Sequence, residues 1–210
     1  MQVLVIGDVH GCYYTFRRFL KNHWNPENTL LVQLGDLINK GNHSARVLEK
    51  AEKLLKKYPH LVYFLLGNHE YMASQSIRID GRLRGMDPLK QDLLKHNISL
   101  SSLDIWCSNL KPIWENKHVY ISHAGVSKLS TRPLDLLRED SVIHNRKSLR
   151  NIDKLQIAGH VVQKPHYNQK ENAWHIDSGA YLGEGLSGVL MNYDGSDCVL
   201  ITEPTHSKDL

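Results

Sequence analysis

The chain has 210 residues, 41% of them hydrophobic and 23% charged; that length suits one domain, and the balance excludes wholesale disorder or a fibrous repeat. The formal net charge of +4 is too small a surplus to argue for nucleic-acid binding. No apolar run approaches the ~18 residues that span a bilayer, and Met1–Gly7 lacks the features of a signal peptide, so no membrane association is expected.

Residues 2–6 (QVLVI) read as a strand that starts at once. Residues 13–23 place Tyr14, Phe16, Phe19 and Leu20 among basic Arg17, Arg18 and Lys21, a helical pattern, and 29–34 (TLLVQL) return to strand. Over 44–57, Val47, Leu48, Ala51, Leu54 and Leu55 form one helical stripe, with Ser44 as the expected N-cap and Pro59 as the stop. Lys53, Lys56 and Lys57 fall mostly off that stripe and read as a solvated helix face, not a polyanion site. Further strands are expected at 61–66, 118–122, 154–158, 173–177, 186–193 and 197–202. Strand and helix alternate early and strands dominate late, which gives an α/β fold whose last third is largely antiparallel. Residues 74–116 break this rhythm, with helical patterns near 88–96 and 102–110, and read as a helical cap inserted in a single domain over 1–210. Residues 203–210 are polar and expected to fray.

Cys12, Cys107 and Cys198 form no CxxC pair and make a poor disulfide framework, so a reducing compartment, the cytoplasm, is the expectation. Cys12 reads as a buried, inert thiol.

The first five strands each end in small, polar, metal-competent residues. These are Gly7-Asp8-Val9-His10-Gly11, Gly35-Asp36 with Gly41 further on, Gly67-Asn68-His69-Glu70, His123-Ala124-Gly125 and Gly159-His160. In α/β folds ligands bind beyond the carboxyl ends of the strands, so Asp8, His10, Asp36, Asn68, His123 and His160 are expected to converge. All offer oxygen or imidazole nitrogen and none a thiolate, which suits Mn, Fe, Zn or Ni. Six donors exceed what one catalytic zinc takes and suit two ions bridged by one carboxylate, an arrangement that binds phosphate oxygens. Of the 13 histidines, the others share no common address and are assigned to surface or packing; His43 and His175 lie nearest the motifs.

These motifs resemble those of the phosphoprotein phosphatase family of calcineurin-like metallophosphoesterases. The likeness is to its small phage and bacterial serine/threonine protein phosphatases and to symmetric diadenosine tetraphosphate hydrolases. That family carries GDxHG, GDxxDRG, GNHE, then HAG or HGG, then a later histidine. The match here runs in order from about residue 7 to 185. The resemblance implies a metallophosphoesterase-like β-sandwich flanked by helices. It implies two divalent ions, manganese first, with Asp8 and His10 on one, Asp36 bridging, and Asn68, His123 and His160 on the other. It makes His69 the acid that protonates the leaving oxygen. Arg146, in Val142-Ile143-His144-Asn145-Arg146, would grip phosphate through its guanidinium fork. Tyr181, after Ile176-Asp177-Ser178-Gly179-Ala180, would lie near the phosphate, and Asn68 beside it.

The second motif departs from the family: Asn39-Lys40 stands where it has Asp-Arg. Lys40 keeps a positive charge for phosphate but loses the planar fork. Asn39 can orient His69 by a hydrogen bond but brings no charge to raise its pKa, so good leaving groups should be favoured over alkoxides. The leading expectation is a metal-dependent phosphatase acting on a phosphorylated protein or small phosphate ester. The alternative is a hydrolase of dinucleoside polyphosphates. A non-catalytic binding module would have lost metal ligands, and all six are present; a nuclease gains little support from the small basic surplus.

Overall fold

The computed structural model describes residues 1–210. In chain order the first half contains β1 (Gln2–Ile6), α1 (Tyr13–His23), β2 (Thr29–Gln33), α2 (Ser44–Lys57), β3 (Val62–Phe64), α3 (Asn68–Asp80), α4 (Asp87–Lys95) and α5 (Leu100–Asn109). The second half is β4 (Ile113–Glu115), β5 (Val119–Ser122), β6 (Leu155–Ala158), β7 (His166–Asn168), β8 (Ala173–His175), β9 (Leu186–Asn192) and β10 (Val199–Glu203).

The strands form two five-stranded mixed sheets, ordered β10-β9-β1-β2-β3 and β4-β5-β6-β8-β7. In the first, β1, β2 and β3 are parallel, with Leu4 opposite Leu31 and Leu31 then opposite Val62, while the β9–β10 hairpin adds antiparallel to β1. In the second, β5, β6 and β8 are parallel and β4 and β7 are antiparallel edges. Side chains alternate across a strand, and β1 uses both faces. Val3 and Val5 pack between the sheets with Ile121, Ile157, Ile176 and Val189. Leu4 and Ile6 pack on the other face, with Phe16 and Phe19 of α1 and Leu48 of α2. Burial on both faces is why β1 and β2 read as unbroken apolar runs. The family-implied sandwich with flanking helices is the fold observed.

Most expected elements are present within a residue or two; β4 and β7, three residues each, and α3 were not expected. The segment 74–116 supplies most of α3, then α4, α5 and β4. Leu89, Leu93, Leu103 and Cys107 lie in the same apolar cluster as Leu4 and Leu48, so this segment packs on the main core.

Two local expectations are corrected. Ser44 is the first helical residue, not the N-cap, and its Oγ accepts the Asn39 N–H at 3.0 Å. Residues 203–210 are tied down: buried Asp209 accepts from the Tyr14 and Thr15 N–H groups at 3.1 and 2.7 Å and from Thr15 Oγ1 at 2.7 Å. Its carboxylate satisfies the orphan donors at the start of α1, where negative charge is favoured.

Candidate active site

The five motif loops follow the carboxyl ends of β1, β2, β3, β5 and β6, and the fold brings them together. Asp8, His10, Asp36, Asn68, His123 and His160 are all buried. Asp36 Oδ2 lies 3.4 Å from His10 Nε2 on one side and 3.4 Å from His123 Nε2 on the other. Two candidate metal triads result, His10–Asp36–His69 and Asp36–His123–His160, the ligand atoms of each within 4.8 Å of one another. Asp36 is common to both.

The donor chemistry fits cations. His123 Nε2 faces Asn68 Oδ1 at 2.9 Å, His160 Nδ1 at 3.1 Å and Asp36 Oδ2 at 3.4 Å. One ring N–H can donate to only one of these atoms, so oxygen and nitrogen donors crowd a single point, as the ligands of a cation do. Burial holds His10 and His123 well below the ordinary histidine pKa, as do Lys40 for His10 and His160 for His123. Both rings are therefore neutral and competent as ligands. His10 Nδ1 lies 3.0 Å from the Ile38 carbonyl, which fixes the ring and leaves Nε2 facing the site. Burial also pushes Asp8 and Asp36 well above the carboxylate range; Asp177 adds to this for Asp8 and Glu70 for Asp36. A pair of divalent ions would reverse that penalty.

Asp8 sits at the margin of this cluster. Its carboxylate accepts the His160 N–H at 3.2–3.4 Å and lies against Asp177, and it belongs to neither triad. His69 takes its place beside His10 and Asp36, with Nε2 3.9 Å from Asp36 Oδ2.

His69 is oriented as the sequence implied. Asn39 Nδ2 lies 2.9 Å from His69 Nδ1; an amide N–H donated there puts the ring's own proton on Nε2, toward the site. Burial, then Lys40 and Arg146, lower the His69 pKa to about 4. Arg146 is exposed, its guanidinium makes no hydrogen bond or ion pair within the chain, and its charge is felt at both His69 and His160. Buried Asn145 steadies the turn that carries it, donating to the Lys147 carbonyl at 2.9 Å and accepting the Lys147 N–H at 3.0 Å. Lys40 Nζ stands 4.4 Å above the Tyr181 ring, and Tyr181 meets His10 edge-to-face at 5.1 Å. Lys40 and Arg146 thus both act on the imidazole, and neither makes an ion pair with a carboxylate.

A family model described as calcineurin-like phosphoesterase matches residues 1–187. The chain belongs to the calcineurin-like phosphoesterase family. Among curated relatives it is 31% identical over 130 residues to a symmetrical bis(5'-nucleosyl)-tetraphosphatase of Erwinia tasmaniensis, covering 60% of this chain and 45% of that protein. It is 35% identical over 68 residues to the serine/threonine-protein phosphatase 6 catalytic subunit of Caenorhabditis elegans, covering 32% of this chain and 20% of that one. The chain therefore spans less than half the length of these relatives. A solved structure assigned provisionally as a diadenosine tetraphosphatase superposes with a TM-score of 0.71 over 98% of this chain and 94% of its own, at 23% identity, a likeness of fold.

Within this phosphoesterase scaffold several residues matter that sequence reasoning gave no role. Glu70 is fully buried and accepts from the Asp36, Leu37 and Ile38 N–H groups at 2.8, 2.8 and 3.2 Å and from Gly67 at 3.1 Å. It clamps the Asp36 loop to the start of α3, and Asp36 Oδ1 in turn accepts the His69 N–H at 3.0 Å. The approach is so close that a Cβ on Gly67 would collide with Asp36. Asp177, also buried, donates nothing to the triads but shares the Asp8 pocket. The sequence signals were that Glu70 closes the Gly67-Asn68-His69-Glu70 motif and that Asp177 lies in the Ile176–Ala180 segment just before Tyr181. His10, Asp36, Asn39, Lys40 and His160 all have φ between 45° and 69°. Left-handed backbone is unfavourable for such residues by about 1–2 kcal/mol each, and its concentration here marks a site held in shape by its surroundings.

Other histidines stay outside. His43 Nε2 contacts the Lys208 carbonyl at 2.8 Å and His175 pairs with Glu171 at 2.7 Å. Cys12 is buried, and burial pushes its thiol up to about 12.

Proposed function

We propose that this phosphoesterase hydrolyses dinucleoside polyphosphates, with His10, Asp36, Asn68, His123 and His160 holding two divalent ions and Asp8 completing the set from the margin, where it accepts the His160 N–H. When bound, the ions supply Lewis acidity toward phosphate oxygens and lower the pKa of a water. Arg146 and Lys40 bind the non-bridging oxygens of the scissile phosphate, and Tyr181 props the Lys40 ammonium. His69 holds its Nε2 proton at the leaving oxygen, oriented from behind by Asn39.

The observation that carries the substrate choice is the neutral amide 2.9 Å from His69 Nδ1. A carboxylate there would favour imidazolium, the form that protonates a departing serine or threonine alkoxide. An amide gives a neutral donor, which suffices for a nucleoside diphosphate, a leaving group stable as an anion. Two unpaired cations suit a multiply charged chain of phosphates. The name of the Erwinia relative supports the same reading.

Phosphoprotein hydrolysis is the second reading. It is favoured by the stretch similar to protein phosphatase 6 and by a groove of about 700 Å³ beside Arg146, walled by exposed Leu129 and Leu137. The test is kcat/KM of the Mn-loaded chain on diadenosine tetraphosphate and on a phosphoserine peptide. The expected ratio is about tenfold or more in favour of the dinucleotide; a ratio favouring the peptide overturns the first reading in favour of the second.

A further inference from the structure

A second anion-attracting feature lies away from the catalytic loops. The C-terminal halves of α1 and α2 enclose a groove of about 360 Å³, within the size range of small-ligand sites. Arg17 and Lys21 enter it from α1, and Lys50, Lys53 and Lys57 from α2. No carboxylate lines it, and none of these five cations makes an ion pair or side-chain hydrogen bond within the chain. Lys53 is nine residues into α2, roughly 14 Å along the axis from the Ser44 end that meets the catalytic loops.

In sequence the α2 lysines look like an ordinary solvated face. Favourable placement at a helix C-terminus accounts for Lys21 and Lys57, which lie in last turns. It does not account for Arg17, Lys50 and Lys53, which are further from the ends. Lys50 is half-buried, and burial together with Arg17, Lys53 and Lys57 holds its pKa below the ordinary lysine value. Like charges are thus gathered from two packed helices without local compensation.

The groove also has an aromatic wall. Trp24 and Tyr58 meet edge-to-face at 5.1 Å, and Trp24 Nε1 donates to the Thr29 carbonyl at 2.9 Å, which fixes the indole. Rigid aromatic surface beside clustered cations is the combination that takes a base and its phosphates. These five cations share one short concavity on a chain of net charge +4, unlike the extended stripe that tracks a nucleic-acid backbone.

We infer that the groove between α1 and α2 is a non-catalytic binding site for a nucleoside polyphosphate, with Arg17, Lys21, Lys50, Lys53 and Lys57 around the phosphates and Trp24 and Tyr58 beside the base. The site stands independently of which substrate the catalytic centre takes.

The test is calorimetric titration of the Mn-loaded full chain with α,β-methylene-ADP, whose P–C–P bridge resists hydrolysis. Methylenediphosphonate, which lacks the base and ribose, and adenosine, which lacks the phosphates, serve as partial ligands, and the variants are K50Q/K53Q and R146Q. The expected result is a binding component retained in R146Q and weakened at least tenfold in K50Q/K53Q, while that double variant turns over p-nitrophenyl phosphate within twofold of the parent. Methylenediphosphonate should occupy the same site at least fivefold more weakly, and adenosine should not be detected. Unchanged binding by K50Q/K53Q, loss of the component in R146Q alone, or equal affinity for methylenediphosphonate would each overturn the inference. So would tighter binding of duplex DNA or anionic phosphatidylserine vesicles than of the nucleotide.

Discussion

Asn39→Asp puts a carboxylate where an amide now stands 2.9 Å from His69 Nδ1. The ring's pKa is held at about 4 by burial, Lys40 and Arg146, so at pH 7 about one ring in a thousand carries the second proton. An opposite charge at this range raises a histidine by about 1–3 units. A rise of about two units brings the protonated share to roughly one in ten, a gain of about 100-fold. That figure bounds the benefit to any reaction limited by protonation of the leaving oxygen. We therefore expect kcat on an alkyl ester such as phosphoserine to rise by about 10- to 100-fold, and its descending alkaline limb to move up by about 1–3 pH units. Turnover of diadenosine tetraphosphate, whose leaving group needs little protonation, should change by less than about threefold. The assay is kcat against pH from 5 to 9 on both substrates and on p-nitrophenyl phosphate, with the same metal throughout. Equal gains on all three, or an unmoved alkaline limb, would refute the leaving-group argument.

Three further outcomes follow from the same geometry. Glu70→Gln removes a charged acceptor from four backbone N–H groups and should lower urea-unfolding stability by about 3 kcal/mol or more; a loss under about 1 kcal/mol would show that the clamp is dispensable. Each divalent ion at about 100 times its dissociation constant should stabilise the chain by about 2.7 kcal/mol, a rise of ~5–10 °C in Tm per ion for a chain of this size, measured by scanning fluorimetry. Asp36→Asn should abolish that rise, because both triads share the carboxylate. Metal affinity should weaken as pH falls through the raised carboxylate range: burial raises the Asp8 and Asp36 pKa, so these groups rebind protons above the usual carboxylate range, whereas the depressed histidines do not compete until lower pH. Titrations in buffers of different ionisation enthalpy should detect proton release on binding, and a flat pH dependence without release would contradict the raised values.

Much of the site was legible because each metal-competent residue follows an apolar run, and strand ends converge in α/β folds. The helices at 13–23 and 44–57 were legible from periodicity, since a single face carries their burial. β4 and β7 were not, because three-residue edge strands carry no period long enough to read. α3 was hidden because its first turn, Asn68–Tyr71, serves the site and its apolar residues form no clean stripe.

The sequence alone determined the order of the candidate ligands and the absence of thiolates among them, which are properties of residue type and spacing; the exchange of Asp-Arg for Asn39-Lys40 was legible only against the family motif it resembles. Tertiary structure decided that Asp36 sits between two histidine groups, that Asp8 stands aside with Asp177, that Glu70 ties two loops, and that Asp209 caps α1 from the far end of the chain. Those pairings join residues up to 195 positions apart, and their distances depend on how two sheets and their loops pack, which no local pattern encodes.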